Sequence, residues 1–348
     1  MSAAPDGRAA ATLATNVGSV TLPNPVLTAS GTSGHGTELA EYGALDALGA
    51  VVVKSLSVEP WPGNPPPRVH EVGANMLNSV GLQGPGLAAW ATDDLPALHD
   101  AGARVVVSIW GRSVDDYARA AEAVAAAASS DAGGCIVALE VNVSCPNVED
   151  RSRMFAHSAQ ATSRVLAATA CGVPRWAKLS PNVPDVVEIA RGAVEGGADG
   201  LTLVNTLLGL ALDIESGRPV LGAGGGGLSG GAVHPVAVRA VWECRAAFPD
   251  LPLVGVGGVF TGHDALELLV AGADAVQVGT ATFRDPRAPW KVLRQVRRWC
   301  EAHDTTVAAI RRRGRDRVGP GVPPAGSPDG RAPARAAVPS RLEGGSDG

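Results

Sequence analysis

Lysine is nearly missing from this chain of 348 residues: of 29 basic residues only Lys54, Lys178 and Lys291 are lysine, and the rest are arginine. Asparagine is scarce too, with nine. Beside 44 glycines and 26 prolines, this bias reflects nucleotide composition more simply than function, so a rare residue in an unusual place stands out. Aromatic residues make up 4%, so a core here must be aliphatic. The five cysteines, Cys135, Cys145, Cys171, Cys244 and Cys300, form no C-x-x-C pair and no metal-finger spacing. That argues against a disulfide scaffold or structural zinc site and fits a reducing compartment. No run approaches the roughly 18 apolar residues of a membrane span. The start of the chain has no continuous apolar signal core and carries Asp6. A net charge of −5 gives no reason to expect a nucleic-acid or anionic-membrane surface. The expectation is a cytoplasmic protein with neither nucleic acid nor membrane as a partner.

What is present suffices for a large core. Hydrophobic residues are 45% and charged ones 18%, which excludes wholesale disorder. Residues 1–12 read as a flexible N-terminal segment and 13–313 as the folded body. Residues 314–348 are rich in Gly, Pro, Arg and Asp without an apolar period, and read as a disordered tail. Eight arginines in 311–341 read as a solvated tail more simply than as an anion-binding one.

Within the body, short apolar runs alternate with alanine-rich helical stretches. Strands are expected at 26–30, 51–55, 104–109, 138–143, 175–180, 201–205, 253–257 and 275–278. Helices are expected at 37–48, 87–99, 114–129, 158–169, 184–195, 235–247, 262–270 and 286–300. Pro184, Pro235 and Pro286 fall near helix starts, where a missing N–H is tolerated. Near-continuous apolar strands separated by helices indicate a parallel sheet buried on both faces. Eight such units in this length fit an α/β fold, the (β/α)8 TIM barrel. A doubly wound open sheet is the alternative, since periodicity cannot see closure. Residues 56–85 and 206–233 are too long for plain βα loops, so insertions follow strands 2 and 6, on the face where barrels build their sites.

Several rare residues fall at strand ends. Cys145 lies in V-N-V-S-C-P-N with Asn142 and Asn147 as polar neighbours, so the thiol reads as a base or nucleophile beside a polar planar ligand. Lys54 and Lys178 close the runs V-V-V-K and R-W-A-K. A lysine ending a buried strand calls for an anion. V-G-V-G-G-V (254–259) and V-Q-V-G-T-A (276–281) fall in the two loops where barrels commonly seat a phosphate. These features point to a phosphorylated cofactor over a planar substrate, and do not by themselves separate flavin from pyridoxal phosphate.

Together the motifs resemble dihydroorotate dehydrogenase, the FMN barrel enzyme of pyrimidine synthesis, over residues 13–313. They are NPVLTASG (24–31), KSLSVEP (54–60), GNPPPR (63–68), MLNSVGLQ (76–83), NVSCPN (142–147), NT (205–206), GGLSG (226–230), GVGG (255–258) and VGTA (278–281). The resemblance implies FMN as cofactor and dihydroorotate oxidised to orotate. It implies that Ala29, Ser30, Gly31 and Ser55 neighbour the flavin, with Asn142 touching both cofactor and substrate. Lys54 is implied between flavin and substrate, and Lys178 at the flavin's pyrimidine edge. Asn78, Asn142, Asn147 and Asn205 are implied to hold the orotate, with Gly81, Leu82 and Thr206. Gly230, Gly257, Gly258, Gly279 and Thr280 are implied to cradle the ribityl phosphate. Cys145 matches the catalytic base of the class 1 enzymes, and the 76–86 motif is closest to their NAD-linked type. That type implies a homodimer core and a second subunit carrying FAD and an iron–sulfur cluster, for which the dispersed cysteines here offer no site. The chain departs from the family pattern at Trp61, where arginine is usual, at Gly84, where asparagine is usual, and at His234, where lysine is common. The segment after Cys145 lacks the usual glycines.

Overall fold

The computed structural model describes residues 13–145 and 154–317. The chain opens with an antiparallel hairpin, β1 (Thr15–Val17) and β2 (Val20–Leu22). Then come β3 (Val26–Thr28), β4 (Val51–Val52), β5 (Val69–Val72), β6 (Asn75–Asn78), β7 (Val105–Ile109), β8 (Ile136–Asn142) and β9 (Arg175–Leu179). The rest are β10 (Gly200–Leu203), β11 (Leu207–Gly209), β12 (Gly226–Gly230), β13 (Leu253–Val256) and β14 (Ala275–Val278). Eight of these form one parallel sheet in the order β3-β14-β13-β10-β9-β8-β7-β4. Its two ends meet through the parallel bridge Leu27↔Ala50, with Gly49 N donating to Val26 O at 2.8 Å. An open doubly wound sheet would leave those ends apart, so the fold is a (β/α)8 barrel.

Alternation along the strands sorts the interior into layers. Leu27, Ala50, Val52, Val106, Ala138, Trp176, Val254 and Ala275 pack together near the N-terminal end. Val17, Val20 and Leu22 of the hairpin join them, so β1–β2 plugs the bottom of the barrel. Burying one such aliphatic side chain is worth about 1.5–3 kcal/mol. Two residues further along the same strands the interior turns polar: Ser108, Glu140, Lys178 and Gln277 are all buried. The intervening residues, such as Val107, Leu139, Val141, Ala177 and Val276, face the helices in the larger core.

The insertions expected after the second and sixth barrel strands pair with each other. They form a second, antiparallel sheet in the order β11-β12-β6-β5.

The helices differ from expectation where side chains interfere. The stretch 37–48 forms two 3-10 turns, Glu38–Tyr42 and Leu45–Ala47. The chain breaks at Gly43, where a β-carbon would stand 2.6 Å from the Trp290 ring, and Trp290 Nε1 donates to Ala44 O. The stretch 87–99 splits into Leu87–Asp93 and Leu95–Asp100, because Pro96 has no N–H for the intervening turn. The stretch 286–300 begins later, at Ala288–Ala302, after a single turn Ala281–Arg284. A final helix, Val307–Arg317, runs through the body's expected end at 313, so residues 314–317 belong to the fold. The expected flexible segment 1–12 and the rest of the expected tail lie outside the described residues. No described helix is long and apolar enough to cross a membrane.

Candidate active site

At the C-terminal mouth of the barrel lies a cavity of about 510 Å³, within the range of small-molecule sites. Its lining contains seventeen of the nineteen residues singled out from the sequence, so the strand-end pattern does converge on one place. Ala29, Ser30 and Gly31 follow β3, Lys54 and Ser55 follow β4, and Asn142 ends β8. Lys178 lies within β9, and Asn205 and Thr206 follow β10. Asn78 ends β6, and Gly81 and Leu82 follow it, while Gly230 ends β12. Gly257 and Gly258 follow β13, and Gly279 and Thr280 follow β14. Asn147 lies outside the described residues.

Cys145 is the other exception. It is fully buried, and its Sγ donates to Asn142 O at 3.4 Å instead of lining the cavity. Burial pushes its thiol up to about 12, against a smaller opposite effect from the Tyr117 hydroxyl beside it. Tyr117 also donates to Asn142 O at 2.6 Å, so the strand end and the thiol share one anchor. Ser144, the neighbour, does line the cavity, and its buried Oγ has no hydrogen-bond partner among the described residues.

The cavity floor is a connected polar network. Glu140 Oε1 accepts from Lys178 Nζ at 3.1 Å and from Ser108 Oγ at 3.4 Å, while Glu140 Oε2 accepts from Gln277 Nε2 at 2.7 Å. Gln277 Oε1 also accepts from Lys178, at 3.4 Å. Ser108, Ser55 and Ser30 continue it as a hydroxyl chain with spacings of 2.9 and 3.1 Å. Asn142 links the chain to the amides: its Nδ2 donates to Ser55 Oγ at 3.4 Å, and its Oδ1 accepts from Asn205 Nδ2 at 3.1 Å. Asn78 Nδ2 donates to Gly227 O at 3.2 Å, tying one insertion to the other. Sequence reading missed Glu140, Gln277 and Ser108. The signal was there in Glu140, a lone carboxylate inside an apolar strand, which demands a buried partner.

The charge of the lining is one-sided. Among the described residues Lys54, Lys178 and Arg112 line the cavity and no Asp or Glu does, so this lining favours anions. Glu140 balances Lys178 from below, leaving Lys54 and Arg112. Burial, and secondarily the charge of Arg68, lowers the Lys54 ammonium below its usual range.

The residues fit a phosphorylated ring cofactor. Gly258 has φ +63°, and a β-carbon there would stand 2.6 Å from His234 Cβ and 2.9 Å from Gly230 O. Gly230 has φ +117°, and its β-carbon would stand 2.8 Å from Asn75 Oδ1. Only glycine keeps this cradle open, with backbone free to approach phosphate oxygens. Trp110 Nε1, on another lining residue, is buried without a partner among the described residues and awaits an acceptor.

Comparison with known proteins agrees with this geometry. The family model for dihydroorotate dehydrogenase matches residues 12–299. A protein of Desulforudis audaxviator is 49% identical over 274 residues, covering 78% of this chain and 87% of its own length. One from Alkaliphilus metalliredigens is 44% identical over 290 residues, covering 83% and 93%. One from Geobacter sulfurreducens is 43% identical over 289 residues, covering 82% and 92%. All three are named dihydroorotate dehydrogenase B (NAD(+)), catalytic subunit.

Proposed function

The chain belongs to the dihydroorotate dehydrogenase family, and from that premise we propose that it oxidises dihydroorotate to orotate in pyrimidine biosynthesis with FMN as its flavin. The observation that carries this reading is the lining of the cavity, which among the described residues has cations, amides and a glycine cradle and no carboxylate. An anionic cofactor and an anionic planar substrate both suit such a lining.

FMN, when bound, supplies the acceptor for the hydride that leaves C6 of dihydroorotate. The chain's own residues do the rest. Gly230, Gly257, Gly258, Gly279 and Thr280 hold the phosphate. Ala29, Ser30, Gly31 and Ser55 border the ring, and Lys178 sets a cation at its pyrimidine edge. Asn78, Asn142 and Asn205 orient the orotate ring and carboxylate with Gly81, Leu82 and Thr206, and Lys54 stands between ring and cofactor. Asn147 completes the amide set. Cys145 takes the proton from C5 as the C5=C6 double bond forms. That role requires the thiol to turn from the Asn142 carbonyl towards the cavity. Positioning of base and substrate supplies most of the rate, since burial leaves little of the thiol as thiolate where it lies.

The relatives are named as catalytic subunits of NAD-linked enzymes, which supports an electron-transfer partner carrying FAD and an iron–sulfur cluster. In this reading the cluster is carried by that partner; among the described residues there is no group of three or more His, Cys, Asp or Glu suited to a metal. Exposed Leu208, Leu210, Leu212 and Ile214, around β11, support burial against another chain, in a cytoplasmic homodimer core or at the partner subunit.

The test is anaerobic addition of dihydroorotate to the purified protein. The yellow flavin spectrum should bleach. A flavin that stays oxidised would overturn the substrate and favour a related oxidoreductase acting on another cyclic imide.

A further inference from the structure

We infer that Arg112 is a carboxylate-recognising cation at the mouth of the cavity, carried on Trp61 in place of a cation at position 61 itself. The inference rests on the reading of the substrate given above. Two of the chain's departures from its family pattern, Trp61 and Gly84, meet at one point. Trp61 N donates to Gly84 O at 2.9 Å and Gly84 N to Trp61 O at 3.0 Å. Glycine suits that pairing, because a β-carbon at position 84 would crowd His35 Nε2 at 3.3 Å. The bridge fixes the Trp61 indole at the cavity mouth, where its ring meets Trp110 edge-on at 5.7 Å and 74°.

Arg112 is built against that indole. Its Cζ lies 5.2 Å from the Trp61 ring centroid. Its backbone N donates to Asp116 Oδ2 at 3.0 Å, beside the Ser113 cap of helix Val114–Ala128, so the residue is held at its base. The acids nearby are engaged elsewhere: Arg119 pairs with Asp116 at 2.8 Å, with Asp115 at 3.2 Å and with Glu59 at 3.8 Å. The Arg112 guanidinium has no ion pair among the described residues, and Arg112, an exposed residue, is one of those lining the cavity. A guanidinium resting on an aromatic ring keeps its N–H edge for a carboxylate, which it meets in two parallel hydrogen bonds.

Position decides which anion it serves. Arg112 follows β7, and in the barrel order β7 stands across the mouth from β13, whose following glycines form the phosphate cradle. The anion at Arg112 is therefore a second one, and the carboxylate of the pyrimidine substrate is the group of that class. The cation missing at position 61 has been replaced from a neighbouring strand, over the indole that displaced it.

The test compares binding of orotate and of uracil, which lacks the carboxylate, to the FMN-loaded protein. Arg112→Gln should weaken orotate by about tenfold, the loss of one charged hydrogen-bonding group, and leave uracil unchanged. KM for dihydroorotate should rise by the same factor with kcat nearly constant, and the salt dependence of binding should flatten. Trp61→Leu, which removes the platform alone, should give a smaller loss of the same kind. Trp61→Arg placed in the Arg112→Gln background should restore orotate binding. Equal losses for orotate and uracil, or no loss for either, would overturn the inference. If dihydroorotate fails to bleach the wild-type flavin, the substrate reading falls, and the orotate-to-uracil ratio still decides the role of Arg112.

Discussion

Lys178 Nζ lies 3.1 Å from Glu140 Oε1 at the cavity floor, and both side chains are buried. Removing one partner of such a pair leaves an uncompensated buried charge, which costs about 3–5 kcal/mol. Glu140→Ala should therefore lower unfolding stability in urea by an amount of that order. Replacing both groups, as in Glu140→Leu with Lys178→Met, should recover much of it, because both desolvation penalties vanish. A double variant no more stable than Glu140→Ala would mean that the pair is not the source.

In the proposed reading the same pair would set the charge beneath the flavin. Lys178→Met removes the cation and keeps the carboxylate, so reduced, anionic flavin is disfavoured. The flavin reduction potential should fall relative to wild type, read by spectroelectrochemical titration. An unaltered potential would count against the place given to Lys178.

Cys145 gives a pH signature. A base works only when deprotonated, and burial holds this thiol up to about 12. Below that value the thiolate fraction rises tenfold per pH unit, so the rate of flavin reduction should climb steadily from about pH 6 to about pH 9. The Tyr117 hydroxyl opposes the effect of burial by favouring the thiolate. Tyr117→Phe should therefore slow reduction at every pH in that range, by about two- to tenfold for one hydrogen bond. Cys145→Ser should slow it far more while FMN stays bound. Stopped-flow reduction that is flat with pH, or unchanged in Cys145→Ser, would remove the thiol from the reaction.

The barrel was legible because its strands are near-continuous apolar runs, and the two lysines stood out because lysine is rare. Arg112 did not stand out, since arginine is the common cation here, and its role depends on an indole fifty-one positions away in sequence. Glu140 sits in V-A-L-E-V-N, where its neighbours face the helices and only every second residue enters the barrel. The small sheet had no local signal. β5 is exposed throughout, β12 reads G-G-L-S-G, and the bond from Asn78 to Gly227 spans 149 residues. Such pairing arises from closure of the barrel, which places the two insertions side by side, and not from a period within either one.

Gly258 tests the cradle. At φ +63° a residue with a β-carbon costs about 1–2 kcal/mol in backbone strain alone. Here the added atom also meets His234 Cβ at 2.6 Å, so the loop after β13 must shift. Gly258→Ala should raise the Kd for FMN by about tenfold or more, followed by quenching of flavin fluorescence. Gly134→Ala is the control, because a β-carbon there meets nothing within 4 Å. Equal affinity in both variants would place the phosphate elsewhere.

The opposite end of the barrel supplies a prediction that separates stability from the site. Arg245 is buried and makes hydrogen bonds to five residues: Gly272 O at 3.0 and 2.8 Å, Phe248 O at 3.2 Å, Pro249 O at 2.7 Å, Leu251 O at 2.8 Å, and the Asp274 carboxylate at 3.1 Å. Asp274 also accepts from Leu253 N at 2.8 Å and from Arg311 of the last helix, so the strand ends, the helix before β13 and the C-terminal helix converge on one carboxylate. A lysine has three donors on a single nitrogen and cannot span that set. Arg245→Lys should therefore lose about 3–5 kcal/mol of stability, as for a broken buried pair with carbonyls left unmet. Ending the chain after Thr306 leaves Arg245 on Asp274 but removes Arg311 and the buried Val307 and Ile310, so it should cost about 3–6 kcal/mol from the two aliphatic side chains alone, comparable to Arg245→Lys. In both variants FMN affinity at low temperature should match wild type, because these contacts lie at the N-terminal end of the strands and the cradle at the other. Loss of FMN affinity without loss of thermal stability would contradict that separation.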